Sequence, residues 1–295
     1  MTAPTNPSRA NHRMALATAM VALAAFGFGL VPYFAKSLLD AGMPAPAVAF
    51  SRYVVTALAL APFLKLGPQG RTTTGWGMLA GAAISIGWMG YVEALKTVPV
   101  AVIGVLYMTY PVFTLVIAWA WFRDRPAGGA IAAAALILFA AFIAMSPASV
   151  DAAVIPVMLV ALGAPLSFGF AINILTNKLI HVPSLSRIAC VSLGAALGLM
   201  PFIVGLEIER AVAPAVAHWG LIVGIALATA LVPQLLYSIH APRIGAARTA
   251  MAGSVELPTM FLIGWLGFGE SVGAPQLVAA CMVLAAIVIT PVRRI

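Results

Sequence analysis

The sequence GAARTAMAGSVELPTMFLIGWL, residues 245–266, places a carboxylate inside an apolar stretch that is long enough to cross a bilayer as a helix. Glu256 lies near the middle of this stretch, and Pro258 follows two residues later. A charged side chain at that depth is costly unless it faces protein or water. The proline also frees a backbone carbonyl one turn earlier, because it has no N–H to donate. The stretch therefore predicts the core of a substrate path within a membrane.

The composition of the whole chain supports a membrane location. Of its 295 residues, 63% are hydrophobic and only 8% are charged, and the mean hydropathy is +1.06. A soluble domain carries roughly 25% charged residues, so this chain cannot cover a soluble surface. Its long unbroken apolar runs favour helices over a β-barrel, whose strands alternate with period two. We predict an all-α integral membrane protein that is embedded in the lipid bilayer.

Polar, proline and glycine residues divide the chain into ten apolar spans joined by short loops. The predicted transmembrane helices are 14–38, 46–66, 74–95, 99–122, 126–145, 153–175, 184–206, 215–240, 245–266 and 272–292. With the N-terminus in the cytoplasm, twelve of the sixteen Lys and Arg residues fall on the cytoplasmic side. This bias explains the net charge of +8 without a nucleic-acid partner. We expect a multi-pass protein of a bacterial-type inner membrane, with both termini cytoplasmic.

The two halves of the chain repeat each other weakly. Residues 94–111, ALKTVPVAVIGVLYMTYP, correspond to residues 241–258, APRIGAARTAMAGSVELP, and each segment ends at a proline. The tripeptide FGF at 26–28 recurs at 168–170, and a lysine follows each copy eight residues later. Five spans in each half is an odd number, so the second half enters the membrane from the opposite side. The pattern predicts two inverted five-helix repeats around a central cavity, which suits alternating access.

The repeat divides the chain into four predicted segments. They are a cytoplasmic tail at 1–13, a first repeat at 14–145, a linker at 146–152 and a second repeat at 153–292.

The paired halves, Pro111 and Pro258, and the run GFGES at 267–271 before the last span resemble the drug/metabolite transporter superfamily, in its ten-helix EamA-type branch. The resemblance covers nearly all of residues 14–292. It implies export of small metabolites through a central cavity lined by the first, third, fourth, sixth, eighth and ninth helices. Amino acids are among those metabolites, as in exporters of aromatic amino acids. The first half departs from the family, with Phe122-Arg123-Asp124 where Gly-Glu is usual.

Glu256 is the first candidate for substrate binding. Three roles remain open for its carboxylate: binding a substrate ammonium, carrying a coupling proton, or pairing structurally with Arg248 or with another helix. Intramembrane carboxylates usually serve transport, so we favour the first two.

Four aromatic residues are further candidates for the substrate site. Tyr107 and Tyr110 are three residues apart in the fourth span, beside Pro111, and their hydroxyls need a polar cavity or a partner at that depth. Trp88 and Tyr91 are three residues apart in the third span, deeper than the tryptophans at the span ends. The alternative is that these rings are packed in the core, or that Trp88 faces lipid.

Amide and basic side chains complete the set of candidates. Asn173, Gln234 and Tyr237 are predicted to face inward, where they either bind substrate or form hydrogen bonds between helices. Lys178 near the cytoplasmic end and Arg52 near the outer end are candidate gate residues. The Arg52 side chain is expected to extend its charge to the outer surface, with Asp40 or Glu93 as an alternative partner. Kinks and hinges are expected at five prolines within spans: Pro32, Pro111, Pro165, Pro233 and Pro258.

These features favour a secondary transporter over an enzyme or a channel. No GxxxxGK[ST] motif is present for nucleotide hydrolysis, and no HExxH or GxSxG motif for intramembrane catalysis. We therefore expect no catalytic residues, no metal and no cofactor. The predicted function is export of amino acids, including aromatic and other neutral ones, by a monomer, with protons as a candidate coupling ion. A multidrug exporter for cationic compounds is the alternative within this class.

Overall fold

The structure is a computed structural model that describes residues 7–64, 71–144 and 151–289. Side chains are described in these ranges except at 7–11, 208, 210, 211, 242, 245–248, 250, 251, 288 and 289. Residues 1–6 of the predicted tail, residues 146–150 of the predicted linker, residues 290–292 and the side chain of Arg248 therefore lie outside the described part.

Every regular element in the described part of the chain is helical, as the composition predicts. The α-helices are α1 (Pro7–Gly29), α2 (Val31–Asp40), α3 (Ala45–Leu60), α4 (Arg71–Ala94), α5 (Val100–Tyr107), α6 (Tyr110–Phe122), α7 (Gly128–Ala144), α8 (Ile155–Ala161), α9 (Gly163–Asn177), α10 (Ser184–Val204), α11 (Ile208–Ala217), α12 (Trp219–Ala226), α13 (Val232–Gly253), α14 (Glu256–Leu262) and α15 (Ala274–Ile289). Short 3₁₀ turns lie at Ala61–Phe63 and Ala152–Val154, and π-helical segments lie at Leu227–Leu231 and Ile263–Gly267.

Six helical segments in the described ranges are long and apolar enough to cross a membrane. They are His12–Asp40, Ala45–Phe63, Val100–Phe122, Ala152–Asn177, Ser184–Val204 and Trp219–Ala241. Two shorter apolar helices, Gly128–Ala144 and Ala274–Ile287, accompany them. Helix α4 is 24 residues long but is absent from the six, because its mean hydropathy is lower. These eight segments support a multi-pass membrane protein.

The chain reverses direction within the range assigned to α13. The Thr249 hydroxyl donates a hydrogen bond to the carbonyl of Ala241 over 3.2 Å. Residues eight apart in a straight α-helix would be separated by about 12 Å, so the two segments must fold back on each other. The reversal lies between Ala241 and Thr249.

Each of the five prolines expected to cause kinks follows an interruption of the α-helix. The interruptions are at Leu30, at 108–109, at Leu162, at the π-helical Leu227–Leu231 and at 254–255. A proline inside a helix removes a hydrogen bond and crowds the carbonyl four residues earlier, which accounts for the position of each break. The breaks divide long spans into the pairs α1–α2, α5–α6, α8–α9, α12–α13 and α13–α14.

Helix α4 packs against α9, α8, α10 and α3. Its glycines let backbones approach closely. A methyl group at Gly81 would overlap the carbonyl oxygen of Val191 and lie 2.7 Å from the backbone nitrogen of Ala195 in α10. Such contacts between small residues are typical of helix association in membranes.

Replacing Gly81 by Ala is expected to destabilise the fold by about 1–3 kcal/mol, because an extra methyl group forces α4 and α10 apart. Gly75→Ala in the same helix is the matched control, since a methyl group there would meet nothing within 4 Å. Thermal unfolding of both variants in detergent measures the difference. Equal unfolding midpoints for the two would contradict the close contact.

Candidate functional site

Five aromatic rings from four helices form one contiguous group, which we call the aromatic cluster: Trp88, Tyr91, Tyr107, Tyr110 and Phe168. The ring centroids of Trp88 and Tyr91, both on α4, are 4.4 Å apart. Tyr107 at the end of α5 is 5.5 Å from Trp88 and 5.9 Å from Tyr91. Tyr110 at the start of α6 is 5.8 Å from Tyr107 and 5.1 Å from Phe168 on α9. The four aromatic candidates from the sequence are thus neighbours.

The aromatic cluster is built around the break between α5 and α6. The chain turns at 108–109, so that Tyr107 and Tyr110 belong to different helices and yet keep their rings in contact. Among the described side chains, the Tyr91 hydroxyl is one of the few buried polar groups that have no hydrogen-bond partner. A buried hydroxyl without a partner costs free energy, so the Tyr91 hydroxyl is a polar group within the aromatic cluster that a ligand could satisfy.

Glu256 is the first residue of α14, directly after the break at 254–255, and its side chain is half-buried. Its carboxylate interacts electrostatically with Arg52. It also interacts with four tyrosines, Tyr91, Tyr107, Tyr110 and Tyr237. The carboxylate singled out by the sequence therefore shares one site with the aromatic cluster. The alternative pairing with Arg248 involves a side chain outside the described part.

Arg52 lies in the core rather than at the outer surface, and none of the ion pairs found among the described residues joins it to Asp40 or Glu93. Its side chain is only 6% exposed, and its Nη2 donates a hydrogen bond to the carbonyl of Thr229 over 2.9 Å. Glu93 instead forms an exposed ion pair with Lys96, with 2.7 Å between Oε1 and Nζ. The position of Arg52 near one end of the second span suggested solvent contact, but a polar backbone group on a distant helix holds it inside.

Tyr237 and Gln234 follow the break before α13. Tyr237 is 38% exposed, and its ring meets that of Phe28 edge-on with 6.2 Å between centroids. Gln234 is half-buried and directly follows Pro233. Tyr237 is more exposed than Glu256 and Tyr110, which are half-buried, whereas Arg52 is buried.

Asn173 joins two helices. Its Nδ2 donates to the carbonyl of Thr114 on α6 over 3.0 Å and to the carbonyl of Gly169 in its own helix over 2.9 Å. These two donated hydrogen bonds use both N–H groups of the amide, so the Nδ2 of Asn173 stabilises the packing of α6 against α9.

The three other candidates for gating or hinge motion lie at helix ends or breaks. Lys178 follows the last residue of α9, is exposed, and holds its Nζ 5.6 Å from the centroid of the Trp76 ring. Pro111 is the second residue of α6, and Pro258 is the third residue of α14.

An ion pair that the sequence did not suggest connects three segments at one end of the bundle. The Nζ of Lys36 on α2 is 2.6 Å from Oε1 of Glu270, and these side chains are 20% and 13% exposed. The other carboxylate oxygen of Glu270 accepts a hydrogen bond from the backbone N–H of Val100 over 2.7 Å. Val100 is the first residue of α5, so Glu270 both pairs a charge and caps a helix.

Three residues near the site escaped sequence reasoning: Phe168, Phe28 and Arg52 as a core residue. Phe28 and Phe168 are the last and first residues of the two FGF tripeptides, so the repeat carried a signal for both. Nothing in the sequence near Arg52 marks Thr229 as its partner, because 177 positions separate the two residues.

An apolar groove of about 730 Å³ lies between α4, α6, α8 and α9. Glycines, Ile86, Leu166 and Phe170 contribute to its wall, and Glu93 is the one charged residue that lines it. Neither Glu256 nor any ring of the aromatic cluster lines this groove, so it is separate from the candidate site.

Comparisons with known proteins bear on the fold of the whole chain and on the family of its first half. A solved structure titled "Crystal structure of protein" aligns with 98% of this chain and 100% of its own, with a TM-score of 0.56 and 15% identity. It is one of fourteen chains that match, and at that identity it shows the fold alone. A search of curated proteins found no match.

Family comparison is informative for the first half of the chain. The match runs from α1 to the end of α7, less than half of the sequence, whereas the structural match covers both halves. Residues 15–146 thus carry a domain that matches the EamA-like transporter family.

Proposed function

We propose that this protein is a secondary transporter that exports small metabolites, most specifically amino acids, across a bacterial-type inner membrane by alternating access. The match of residues 15–146 to the EamA-like transporter family supports transport of small molecules. The absence of a nucleotide-binding motif from the sequence supports a secondary mechanism.

The observation that carries the proposal is the electrostatic interaction of the Glu256 carboxylate with tyrosines of the aromatic cluster, at two helix breaks. Glu256 interacts electrostatically with Tyr107 and Tyr110, and the two breaks put all three residues at helix ends. Broken helices that expose polar groups at a shared site are the usual construction of transporter binding sites. A carboxylate binds an ammonium group, and neighbouring rings suit apolar or aromatic side chains.

We further propose that the fold consists of ten transmembrane helices in two inverted repeats, with both termini in the cytoplasm. Contacts between helices support a pseudo-two-fold relation. Helix α4 packs against α9 as α13 packs against α1, and α6 packs against α9 as α14 packs against α1. The pairs α3–α10, α5–α14 and α7–α15 would each lie on the axis that relates the halves. In such an inverted repeat, the ion pair Lys36–Glu270 would break when the end of the bundle at which it lies opens.

Counterflow into proteoliposomes tests the proposed function. Vesicles loaded with unlabelled phenylalanine, leucine or alanine are expected to accumulate the labelled amino acid, with a rate that saturates with concentration. Empty vesicles provide the control. Vesicles that stay inert across a broad panel of amino acids would overturn the proposal for this substrate class.

Export of cationic compounds is the second candidate function, favoured by the combination of Glu256 with aromatic rings, which also suits a quaternary ammonium. Tetraphenylphosphonium added outside the same vesicles separates the candidates. A cation exporter would take up tetraphenylphosphonium into the vesicles. In an amino-acid exporter, tetraphenylphosphonium would change the rate of amino-acid counterflow little.

Replacing Pro111 or Pro258 by Ala is expected to slow transport several-fold while expression stays normal, because a restored N–H closes the helix break at which the halves tilt. Initial counterflow rates measure the effect. Pro275→Ala is the control, since α15 follows the non-helical residues 269–273 and a restored N–H at position 275 therefore closes no break between two helices. Unchanged rates in both hinge variants would refute the role of the breaks.

A further inference from the structure

Arg52 is a buried guanidinium whose donors are only partly used. Its side chain is 6% exposed, and Nη2 bonds to the Thr229 carbonyl. Within the described part of the chain, its Nε and Nη1 are buried and have no hydrogen-bond partner. Unpartnered donors on a buried charge are costly and are rarely retained without a use.

Local structure explains why the side chain is fixed in the core. Thr229 lies four residues before Pro233, and a proline cannot donate to that carbonyl, so the oxygen is free to accept from Arg52. The face of Trp88 lies against the guanidinium, with 4.4 Å from Cζ to the ring centroid. Tyr53 flanks it at 5.4 Å. The guanidinium therefore contacts the aromatic cluster through the ring of Trp88.

The positive charge of Arg52 and the negative charge of Glu256 act on the same site without forming a direct pair. Each interacts electrostatically with Tyr91 and Tyr107, and they interact with each other. The ion pairs found among the described residues, Lys36–Glu270 and Lys96–Glu93, do not include either of them. Two opposite charges that share a site but do not touch match a ligand that carries both charges itself.

We infer that Arg52 binds the carboxylate of the transported amino acid, while Glu256 binds its ammonium group. The inference rests on the proposed function, because it identifies which substrates the same site accepts. Nη2 has a second N–H besides the one given to Thr229, and with Nε or Nη1 it forms a two-donor fork that matches a carboxylate. Ligands with an amine but no carboxylate leave this fork unused and are expected to bind weakly.

The test compares L-phenylalanine with L-phenylalaninamide, which has the same ring and amine but no carboxylate. Binding to purified protein and uptake into vesicles are measured for the wild type, Arg52→Gln and Arg52→Lys. The wild type is expected to prefer phenylalanine. Arg52→Gln is expected to lose about thirtyfold in affinity for phenylalanine, as for truncation of one partner of a buried charged hydrogen bond, and little for the amide. Arg52→Lys keeps the charge without the fork and is expected to fall between.

A selective loss of affinity for phenylalanine in Arg52→Gln supports the inference. Equal losses of affinity for phenylalanine and for its amide assign Arg52 a structural role instead. If the Gln variant fails to fold, Arg52→Lys and the preference of the wild type decide: no preference for phenylalanine over its amide overturns the inference. Uptake of the amide but not of phenylalanine by the wild type leaves a transporter of amines and removes Arg52 from the site. Uptake of neither compound, nor of other amino acids, defeats the proposed function itself.

Discussion

Replacing Glu256 by Gln is expected to lower the counterflow rate for amino acids by about a hundredfold, because the substrate ammonium loses its charged partner. Gln keeps the size and hydrogen-bonding capacity of the side chain, so the fold around α14 is expected to persist. Asp40→Asn removes an exposed carboxylate at the end of α2 and is the matched control. Size-exclusion profiles of both variants exclude unfolding as the cause of a lower rate.

The same variant separates the two transport roles of Glu256. If the carboxylate carries a coupling proton, Glu256→Gln loses accumulation driven by a pH gradient but keeps exchange between equal concentrations. If the carboxylate binds the ammonium group, both activities fall together. Full activity in both assays would remove Glu256 from the site altogether.

Replacing Glu270 by Ala is expected to destabilise the protein by about 2–3 kcal/mol, because it leaves the Lys36 ammonium and the Val100 N–H without their partner. Solvent reaches both side chains of the ion pair to some extent, so the effect is smaller than for a fully buried pair. Unfolding midpoints in detergent measure it, converted to free energy with the denaturant dependence.

Two further variants isolate the parts of this contact. Glu270→Gln keeps an acceptor for the Val100 N–H and removes only the charge, so we expect a smaller loss than for Ala. Lys36→Met removes the ammonium, and adding Glu270→Gln to it is expected to cost little more. Additive losses in this double variant would show that the two side chains do not interact.

The sequence was sufficient to predict that the protein is all-helical and to single out most residues of the aromatic cluster. Low charge and long apolar runs leave only helices to satisfy the backbone in lipid. The i, i+3 spacing of Trp88 and Tyr91, and of Tyr107 and Tyr110, put each pair on one side of the bundle, where the rings meet. The prolines likewise marked where helices break, because the missing N–H acts locally.

What the sequence did not reveal depends on distant partners. Arg52 is held by a carbonyl 177 positions away, and Lys36 by a carboxylate 234 positions away. Position along a span predicts depth in the membrane, but not which side chain on another helix will face it. Phe168 was overlooked for a simpler reason: an apolar residue in an apolar span carries no signal of its own except the FGF repeat.

The central claim is that the substrate binds between Glu256 and the aromatic cluster, and an experimental structure with bound L-phenylalanine tests it most directly. The account predicts the ammonium group within hydrogen-bonding distance of the Glu256 carboxylate and the ring against Tyr107 or Tyr110. Phenylalanine found instead only in the apolar groove between α4, α6, α8 and α9, with Glu256 untouched, would contradict it.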